Sequence, residues 1–416
     1  MSDLDSKSVI THLRKLSTIR ERCSRIYEHA QKDTLPHFIL DESRIDDVVA
    51  FVETLIRQDY PTLAIPFHSR WRHFEAGSIE RHIQLQHQWQ GCDALEIARR
   101  HIDLVVVSVL LDAGAGPDWA FHESQSGMKF TRSEGLGVAS FWMFAHGAFS
   151  SDSGLHHQVD AIGLERLQLS HVEKGFQVSP SNPLVGLNGR VALLQRLGRA
   201  LRSKPEFFER NGVFRPGNMV DALAQHLSRQ KTIPLSELWR IVIEGFNQVW
   251  PTEGRLHLEE VCLGDVWHHS ALGNAHDPLA FVPFHKLSQW LTYSLLEPLS
   301  CAGFQVADLS ALTGLPEYRN GGLFLDFGVL TPRQPQTLSQ SLPVNSEWIV
   351  EWRALTVILL DRVAERLRGK LGKSDAEFPL AKVLEGGTWK AGRRIAAQKR
   401  PGGLPPVQVV SDGTVF

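Results

Sequence analysis

The sequence predicts a mainly α-helical protein that packs as a single helical body with a few short β-strands. Apolar residues recur at helical spacing from Val9 to Tyr27, which predicts one long amphipathic helix near the start. The run from Ile102 to Leu111 is apolar on all sides, so its helix is expected to be buried. A further long helix is predicted after the capping residue Ser346. Short strands are expected near Leu323 to Leu330 and Val407 to Phe416.

Composition limits the classes of protein to which the chain can belong. With 416 residues, of which 43% are hydrophobic and 22% charged, it can bury a full core, and its length alone would allow two or three domains. A polar, His-containing segment at 151–180 is expected to be peripheral, and 331–345 is expected to form a long surface loop.

Charge and hydropathy argue against membrane and nucleic-acid partners. No window reaches the roughly 18 uninterrupted apolar residues of a membrane span, and the polar N-terminus lacks the hydrophobic region of a signal peptide, so a cytoplasmic location is expected. The net charge of -2, from 44 basic and 46 acidic side chains, draws the protein to neither membrane nor nucleic acid. Any anion must therefore be bound locally. The four cysteines show no metal or disulfide spacing.

The stretch from Pro283 to Leu330 carries the densest set of candidate functional residues. Pro283 suits the first turn of a helix, and His285, Lys286 and Gln289 lie within about one turn of its start. A lysine near the positive end of a helix dipole suits an anion. After a loop come Glu317, Tyr318, Arg319, Asn320 and two glycines, where substrate could approach the backbone.

The loop IPFHSRWRHFEAG concentrates cationic and aromatic side chains. In one interpretation it grips a substrate: Arg70 and Arg72 bind phosphate or carboxylate, and Trp71 stacks on a flat group beside His68. In the other, the arginines and histidines pair with buried acids and hold the structure together. The two interpretations are compatible. The sequence further predicts that Lys286 and the Arg70–Arg72 loop form one anion site.

Other charged positions leave alternatives open. Glu385 precedes two glycines that interrupt a helix, either because a ligand needs the backbone close or because helices pack closely there. Trp389 and Arg393 add a stacking surface and a cation nearby. Histidines and acids between Asp265 and Asp277 match no zinc motif, so no metal is expected.

Several long strings resemble a uracil-catabolism family of fungi and bacteria that was long listed as a domain of unknown function. The similar strings include LLDAGAGPDW, RSEGLGVASFWMF, FVPFHKLSQWLTYSLLEPL, LTGLPEYRNGGLF and PLAKVLEGGTWKAGRRIAA. The resemblance covers nearly the whole chain, which implies one domain over 1–416. It implies a part in a route in which the ring of a uracil nucleotide is opened by a cyclohydrolase-like enzyme, a possible partner, and urea is released.

A weaker resemblance, to the queuosine 5'-phosphate N-glycosylases, suggests the chemical step. PFHKLSQWL and LTGLPEYRNGG are similar to that family's lysine-and-glutamine helix and its aspartate-tyrosine-arginine loop. Lys286, Gln289 and the pair Tyr318 and Arg319 fall on the matching positions, whereas Glu317 replaces the aspartate. The resemblance implies a similar helical fold.

Together these features predict a hydrolase that cleaves an N-glycosidic bond in a ribosyl 5'-phosphate and releases urea or a urea-like base, without cofactor or metal. Such chemistry needs a carboxylate beside the developing oxocarbenium ion, a proton for the leaving nitrogen and a clamp for the phosphate. The expected roles are phosphate binding by Lys286 with Arg70 or Arg72, catalysis by Glu317 or Glu385, and leaving-group binding by His68, Asn320 or Gln289. The alternative is a non-catalytic protein that binds an intermediate or a partner enzyme.

Overall fold

Helices carry the fold in the computed structural model, which describes residues 5–112, 114–226 and 231–410. The predicted mainly α class is confirmed. The helices are α1 Ser6–Leu13, α2 Leu16–Gln31, α3 Ile45–Asp59, α4 Trp71–Phe74, α5 Arg81–Gln86, α6 Ala94–Leu110, α7 Arg132–Ala145, α8 Ala161–Glu165, α9 Leu169–Gly175, α10 Leu187–Ser203, α11 Pro205–Phe208, α12 Met219–Ala224, α13 Leu235–Gly245, α14 Lys286–Cys301, α15 Tyr318–Asp326, α16 Glu347–Leu371, α17 Leu380–Val383 and α18 Trp389–Lys399.

The strands are short, and within the described ranges they pair only two at a time. Their bounds are β1 Phe38–Leu40, β2 Ala120–His122, β3 Lys129–Thr131, β4 Glu209–Arg210, β5 Val213–Phe214, β6 Thr232–Pro234, β7 His257–Leu258, β8 Val261–Cys262, β9 Val266–His268, β10 Phe281–Pro283, β11 Gln305–Ala307, β12 Leu330–Pro332, β13 Ser341–Pro343 and β14 Gln408–Val410. Of these pairs, β11 with β6 and β13 with β14 are parallel.

Three buried helices form the centre of the core. As predicted, α6 is buried on all sides from Ile102 to Leu111, and it packs against α14, whose residues from Leu287 to Leu296 are also buried. Helix α16 packs against α2. Ser346 caps α16 by accepting a hydrogen bond from the N–H of Ile349, and Gly372 ends it in the left-handed region at φ 62°. None of the described helices has the length and hydropathy needed to cross a bilayer.

The single helix predicted from Val9 to Tyr27 is wrong, because the chain breaks between α1 and α2. Lys15 is extended, at φ -74° and ψ 139°, and the Thr18 hydroxyl donates to the carbonyl of His12 at 2.7 Å. The break lets α1 pack in a small separate cluster with Leu263 and Phe281 while α2 enters the main core.

The start predicted for the central helix is also wrong, because Pro283 ends β10. That strand pairs antiparallel with β9, and His285 then turns the chain through the left-handed region at φ 46°, so that α14 begins at Lys286. Pairing of strands that are distant in sequence overrides the local proline signal.

The strand predicted at Leu323 to Leu330 is mostly helix, since α15 continues to Asp326 and β12 begins only at Leu330. Near the other end, β14 confirms a strand at 408–410, while residues 411–416 lie outside the described residues. The segment 331–345 contains β13 and a short 3-10 turn, Pro335–Ser339, and the segment 151–180 contains α8 and α9.

Two buried histidines should make the stability of the fold depend on pH. His101 and His82 flank Trp71, with ring centroids 4.9 and 4.7 Å away; His101 also contacts Trp89, and Glu75 lies 3.8 Å from His82. Burial, together with the charge of His82, lowers the pKa of His101 from 6.5 to about 3. Burial, together with the charge of Arg72, lowers the pKa of His82 from 6.5 to about 4.

Because both pKa values are lowered on folding, the stability contribution is complete above pH 6.5 and is lost as the pH falls towards these lowered values. Each histidine should contribute up to about 1.4 kcal/mol per pH unit in that window. Urea unfolding at about pH 7 and about pH 5 measures this. His101→Phe, which cannot take a charge, should show a smaller loss; an equal loss in the variant would refute the assignment.

Candidate functional site

Arg70 is a buried cross-link at the centre of the candidate site. It is fully buried, and its Nε donates to the Ser108 hydroxyl at 2.7 Å. One terminal nitrogen lies 2.9 Å from Asp112 and 2.9 Å from the ring of His73. Its backbone N–H donates to Ser294 in α14. Arg70 therefore joins the end of α6 to α14 and fixes the Asp112 carboxylate, which keeps 10% of its side-chain surface exposed.

The neighbours of Arg70 also have protein partners. Trp71 is 3% exposed and packs between histidines in the core. Arg72 bridges Glu75 and Glu297, and Glu297 also accepts a hydrogen bond from Ser69 at 2.5 Å. Burial raises the pKa of Glu297 to about 7, although the charge of Arg72 opposes this rise. These contacts favour the structural interpretation of the loop for its arginines and for Trp71.

His68 and Glu385 form a pair at the edge of this loop. His68 Nδ1 lies 2.7 Å from Glu385 Oε2, and its ring lies 4.8 Å from Trp290 and 5.7 Å from Trp389. Glu385 stands in a π-helical turn, Leu384–Thr388, and retains 17% of its side-chain exposure. Burial opposes its charge, but the hydrogen bond from His68 and nearby positive groups lower the pKa of Glu385.

The two glycines after Glu385 are explained by packing. A Cβ on Gly386 would come within 2.7 Å of Ile65, and one on Gly387 within 2.6 Å of Val52 in α3. Close packing, one of the two alternatives for this interrupted helix, therefore accounts for both glycines: Gly387 packs against α3, and Gly386 against the loop that follows it. The resulting π turn sets the direction of the Glu385 side chain.

Lys286 begins α14 as predicted for a lysine near a helix N-terminus. Its backbone N–H donates to Asp265 at 2.9 Å, and Asp265 is paired with the buried Arg353 at 2.7 Å. The ammonium group makes no hydrogen bond or ion pair with the residues that the structure describes. Burial lowers the pKa of Lys286, while the charges of Glu317 and Asp112 act in the opposite direction. Lys286 is thus a half-buried cation on which the charges of two acids act.

Glu317 caps α15. Its two oxygens accept hydrogen bonds from the backbone N–H groups of Arg319, at 2.7 Å, and Asn320, at 2.6 Å. Burial raises the pKa of Glu317, against the effect of those two hydrogen bonds and of Lys286. Arg319 lies over the half-buried ring of Tyr318 at 5.0 Å and donates to the carbonyl of Gly403 at 2.8 Å. Both carboxylate oxygens of Glu317 thus accept hydrogen bonds that cap the start of α15.

Three other predicted residues are held by the core. Gln289 is fully buried, with its amide bonded to Thr313 and to the Phe284 carbonyl. His285 donates from Nε2 to the Leu13 carbonyl at 2.9 Å, and burial lowers its pKa. The Asn320 amide donates to the carbonyl of Leu315. These contacts orient the turns around Lys286 and Glu317.

Arg393 closes the site from α18. It pairs with Glu134 at 2.6 Å and lies over Trp389 at 4.8 Å. Burial opposes the charge of Glu134, but Arg393 and His73 lower the pKa of that carboxyl. His73 itself feels the charges of Asp112, Glu134 and Glu385, and burial lowers its pKa to about 4.

The electrostatic couplings show which predicted residues lie together. Asp112 acts on Lys286, His73 and Tyr318, and His73 is also coupled to Glu385. On these charge effects, together with the contacts of His68 with Glu385 and of Arg393 with Glu134, we define the candidate site as Asp112, Glu134 and the predicted residues Lys286, Glu317, Tyr318, Arg319, Arg393, His68 and Glu385. His285, Gln289 and Trp71 support it from the core.

Sequence reasoning did not select Asp112, Glu134 or Asp265 as site residues. Asp112 did carry a signal, because it is an acid placed directly after a helix that is apolar on all sides. No group of His, Cys, Asp and Glu side chains within the described part of the chain is arranged to hold a metal. His269, from the His-rich stretch, instead pairs with the buried Glu351 at 3.0 Å.

Comparison with known proteins identifies the family. The family model described as "Protein of unknown function (DUF1688)" matches residues 12–416. The chain is similar to Uracil catabolism protein 4 of Lachancea kluyveri, with 40% identity over 98% of this chain and 99% of the relative. It is also similar to Protein urg3 of Schizosaccharomyces pombe, with 40% identity over 99% of this chain and 100% of the relative. The chain therefore belongs to the DUF1688 family.

Proposed function

We propose that the protein acts in uracil catabolism as an N-glycosidase that releases urea, or a urea-like base, from a ribosyl 5'-phosphate formed after the uracil ring is opened. The pathway is supported by the relative named Uracil catabolism protein 4, which matches over nearly its full length. The reaction class is supported by the geometry of the site, together with the likeness of its two central motifs to nucleotide N-glycosylases.

The observation that carries the proposal is the pair of Glu385 and His68. Cleavage of an N-glycosidic bond builds positive charge on the anomeric carbon, and an ionised carboxylate in a partly dry site stabilises that charge well. Glu385 meets these needs, since its pKa is lowered, its side chain is 17% exposed, and His68 holds it at 2.7 Å. Glu317 differs, because its pKa is raised and its oxygens cap a helix.

The remaining groups suit the other needs of the reaction. Lys286 has a lowered pKa, and its ammonium has no partner among the described residues, so it can donate a hydrogen bond or a proton to an electron-rich atom of the leaving group. In the balanced reaction the C1'–N bond breaks and a bond forms between C1' and a water oxygen. The released nitrogen gains a proton, and the products are ribose 5-phosphate and urea. The aromatic rings of Tyr318 and Trp389 lie under Arg319 and Arg393.

Incubation with ribosylurea 5'-phosphate tests the proposal directly. Urea and ribose 5-phosphate should form in equal amounts, at a rate proportional to the protein concentration. The Lys286→Met variant, which removes the unpaired ammonium but keeps an aliphatic stem, should release urea more slowly. If the wild-type protein binds the compound but returns it unchanged, the glycosidase proposal fails and the alternative of a binding protein gains support.

A further inference from the structure

Two arginines donate to one glycine turn next to the candidate site, and a third arginine affects the charge of one of them. Arg132, at the start of α7, donates to the carbonyl of Gly402 at 3.2 Å. Arg319, at the start of α15, donates to the next carbonyl, that of Gly403, at 2.8 Å. Arg393 in α18 lies close enough for its charge to act on Arg319. Guanidinium groups from α7 and α15 thus meet at this turn, within electrostatic range of Arg393 in α18.

The positive charge of this arginine cluster, Arg132, Arg319 and Arg393, is only partly balanced. Arg393 pairs with Glu134 at 2.6 Å. Arg132 and Arg319 form no ion pair with any carboxylate of the described residues. Burial, together with the charges of Arg132 and Arg393, lowers the pKa of Arg319, although Tyr318 and Glu317 act in the opposite direction. Such convergence of like charges is unfavourable unless an anion offsets it.

Two further features prepare the cluster for a phosphate. Arg319 lies over Tyr318 at 5.0 Å and Arg393 over Trp389 at 4.8 Å, so aromatic rings fix the planes of both guanidinium groups. Arg132 is the first residue of α7, and its N-cap residue Thr131 makes no side-chain capping hydrogen bond. The N–H groups of that first turn add positive potential, which Glu134 in the same turn partly offsets.

We infer that Arg132, Arg319 and Arg393 form the subsite for the phosphate monoester of the substrate. The identity of the sugar that carries this phosphate rests on the proposed function, but phosphate binding at the anion site can be measured without the reaction. It assigns the phosphate to the arginine cluster and leaves Lys286, which lies beside Asp112 and Glu317, for the reacting end of the substrate. Arg70 and Arg72 are already paired with Asp112, Glu75 and Glu297.

The test compares binding of ribose 5-phosphate, inorganic phosphate and ribose by titration calorimetry. Arg132 is exposed, so Arg132→Gln should fold normally. This variant should bind ribose 5-phosphate at least about tenfold more weakly, which is the loss expected for one charge-assisted contact. Its affinity for ribose should not change. Arg394 is an exposed arginine next to Arg393 in α18. The Arg394→Gln variant is therefore the matched control and should bind ribose 5-phosphate like the wild type.

The outcomes separate the anion site from the glycosidase proposal. If Arg132→Gln keeps wild-type affinity for ribose 5-phosphate, or if the wild type prefers neither phosphate compound over ribose, the arginine subsite is refuted. If phosphate binding depends on Arg132 while ribosylurea 5'-phosphate is never hydrolysed, the subsite stands and the glycosidase proposal falls. If urea is released equally well from ribosylurea with and without the phosphate, the glycosidase proposal stands and the arginine subsite is refuted.

Discussion

Replacing Glu385 by Gln should lower the turnover of ribosylurea 5'-phosphate by about a hundredfold or more, because it removes a charge whose main value is in the transition state. Glutamine keeps the size of the side chain and can still bond to His68. The melting temperature and the affinity for ribose 5-phosphate should therefore change little. A fall in kcat with nearly constant substrate affinity is the pattern expected when an interaction forms mainly in the transition state.

Glu317→Gln is the matched comparison, since it makes the same chemical change at a carboxylate that caps a helix. Its oxygens accept two backbone N–H groups at 2.7 and 2.6 Å, so the variant should lose stability, by about 1 kcal/mol as for other N-caps, and keep its specific activity per folded molecule. Thermal melts recorded beside initial rates distinguish the two effects. If Glu317→Gln abolishes turnover without a change in melting while Glu385→Gln remains active, the catalytic roles must be exchanged.

The helices of this fold follow from local sequence because burial periodicity and capping are local properties. Helix α6 was predictable from Ile102 to Leu111, and the start of α16 from Ser346. The start of α14 was not predictable, because Pro283 lies in a strand, where it pairs with Val266. Strand partners that are distant in sequence leave no local signal.

The candidate site was predictable in its motifs but not in its pairings. Lys286 could be placed within the first turn of a helix from sequence alone, although the residue at which that helix begins could not. The phosphate role expected for Arg70 required a guanidinium without an ionic partner, but Arg70 is paired with Asp112. Asp112 comes close to Arg70 only through the packing of α6 against α14. Arg132 was not considered, because its link to Arg319 runs through the distant turn at Gly402 and Gly403. An ionic partner is a tertiary property, so sequence alone identifies charged residues better than it assigns their roles.

Arg353→Met should be the most destabilising of the changes considered, at about 3–5 kcal/mol, because it leaves a buried carboxylate without its counterion. Arg353 is 1% exposed and donates to both oxygens of Asp265, at 2.7 and 2.8 Å. It also donates to the carbonyl of Pro316, at 3.3 Å, directly before Glu317. Arg353 thus ties α16 to the turns that start both α14 and α15.

The cause of that loss can be isolated with the double variant Asp265→Asn, Arg353→Met. Asp265 receives hydrogen bonds at its two oxygens, from the Lys286 N–H at 2.9 Å and from Trp267 at 2.7 Å. Asparagine carries no charge and has one acceptor oxygen, so it can keep one of these two hydrogen bonds. If the unpaired charge dominates, the double variant should be more stable than Arg353→Met alone in urea unfolding. If the double variant is the less stable of the two, lost packing, the Pro316 contact or the hydrogen bond that asparagine cannot accept must account for the effect.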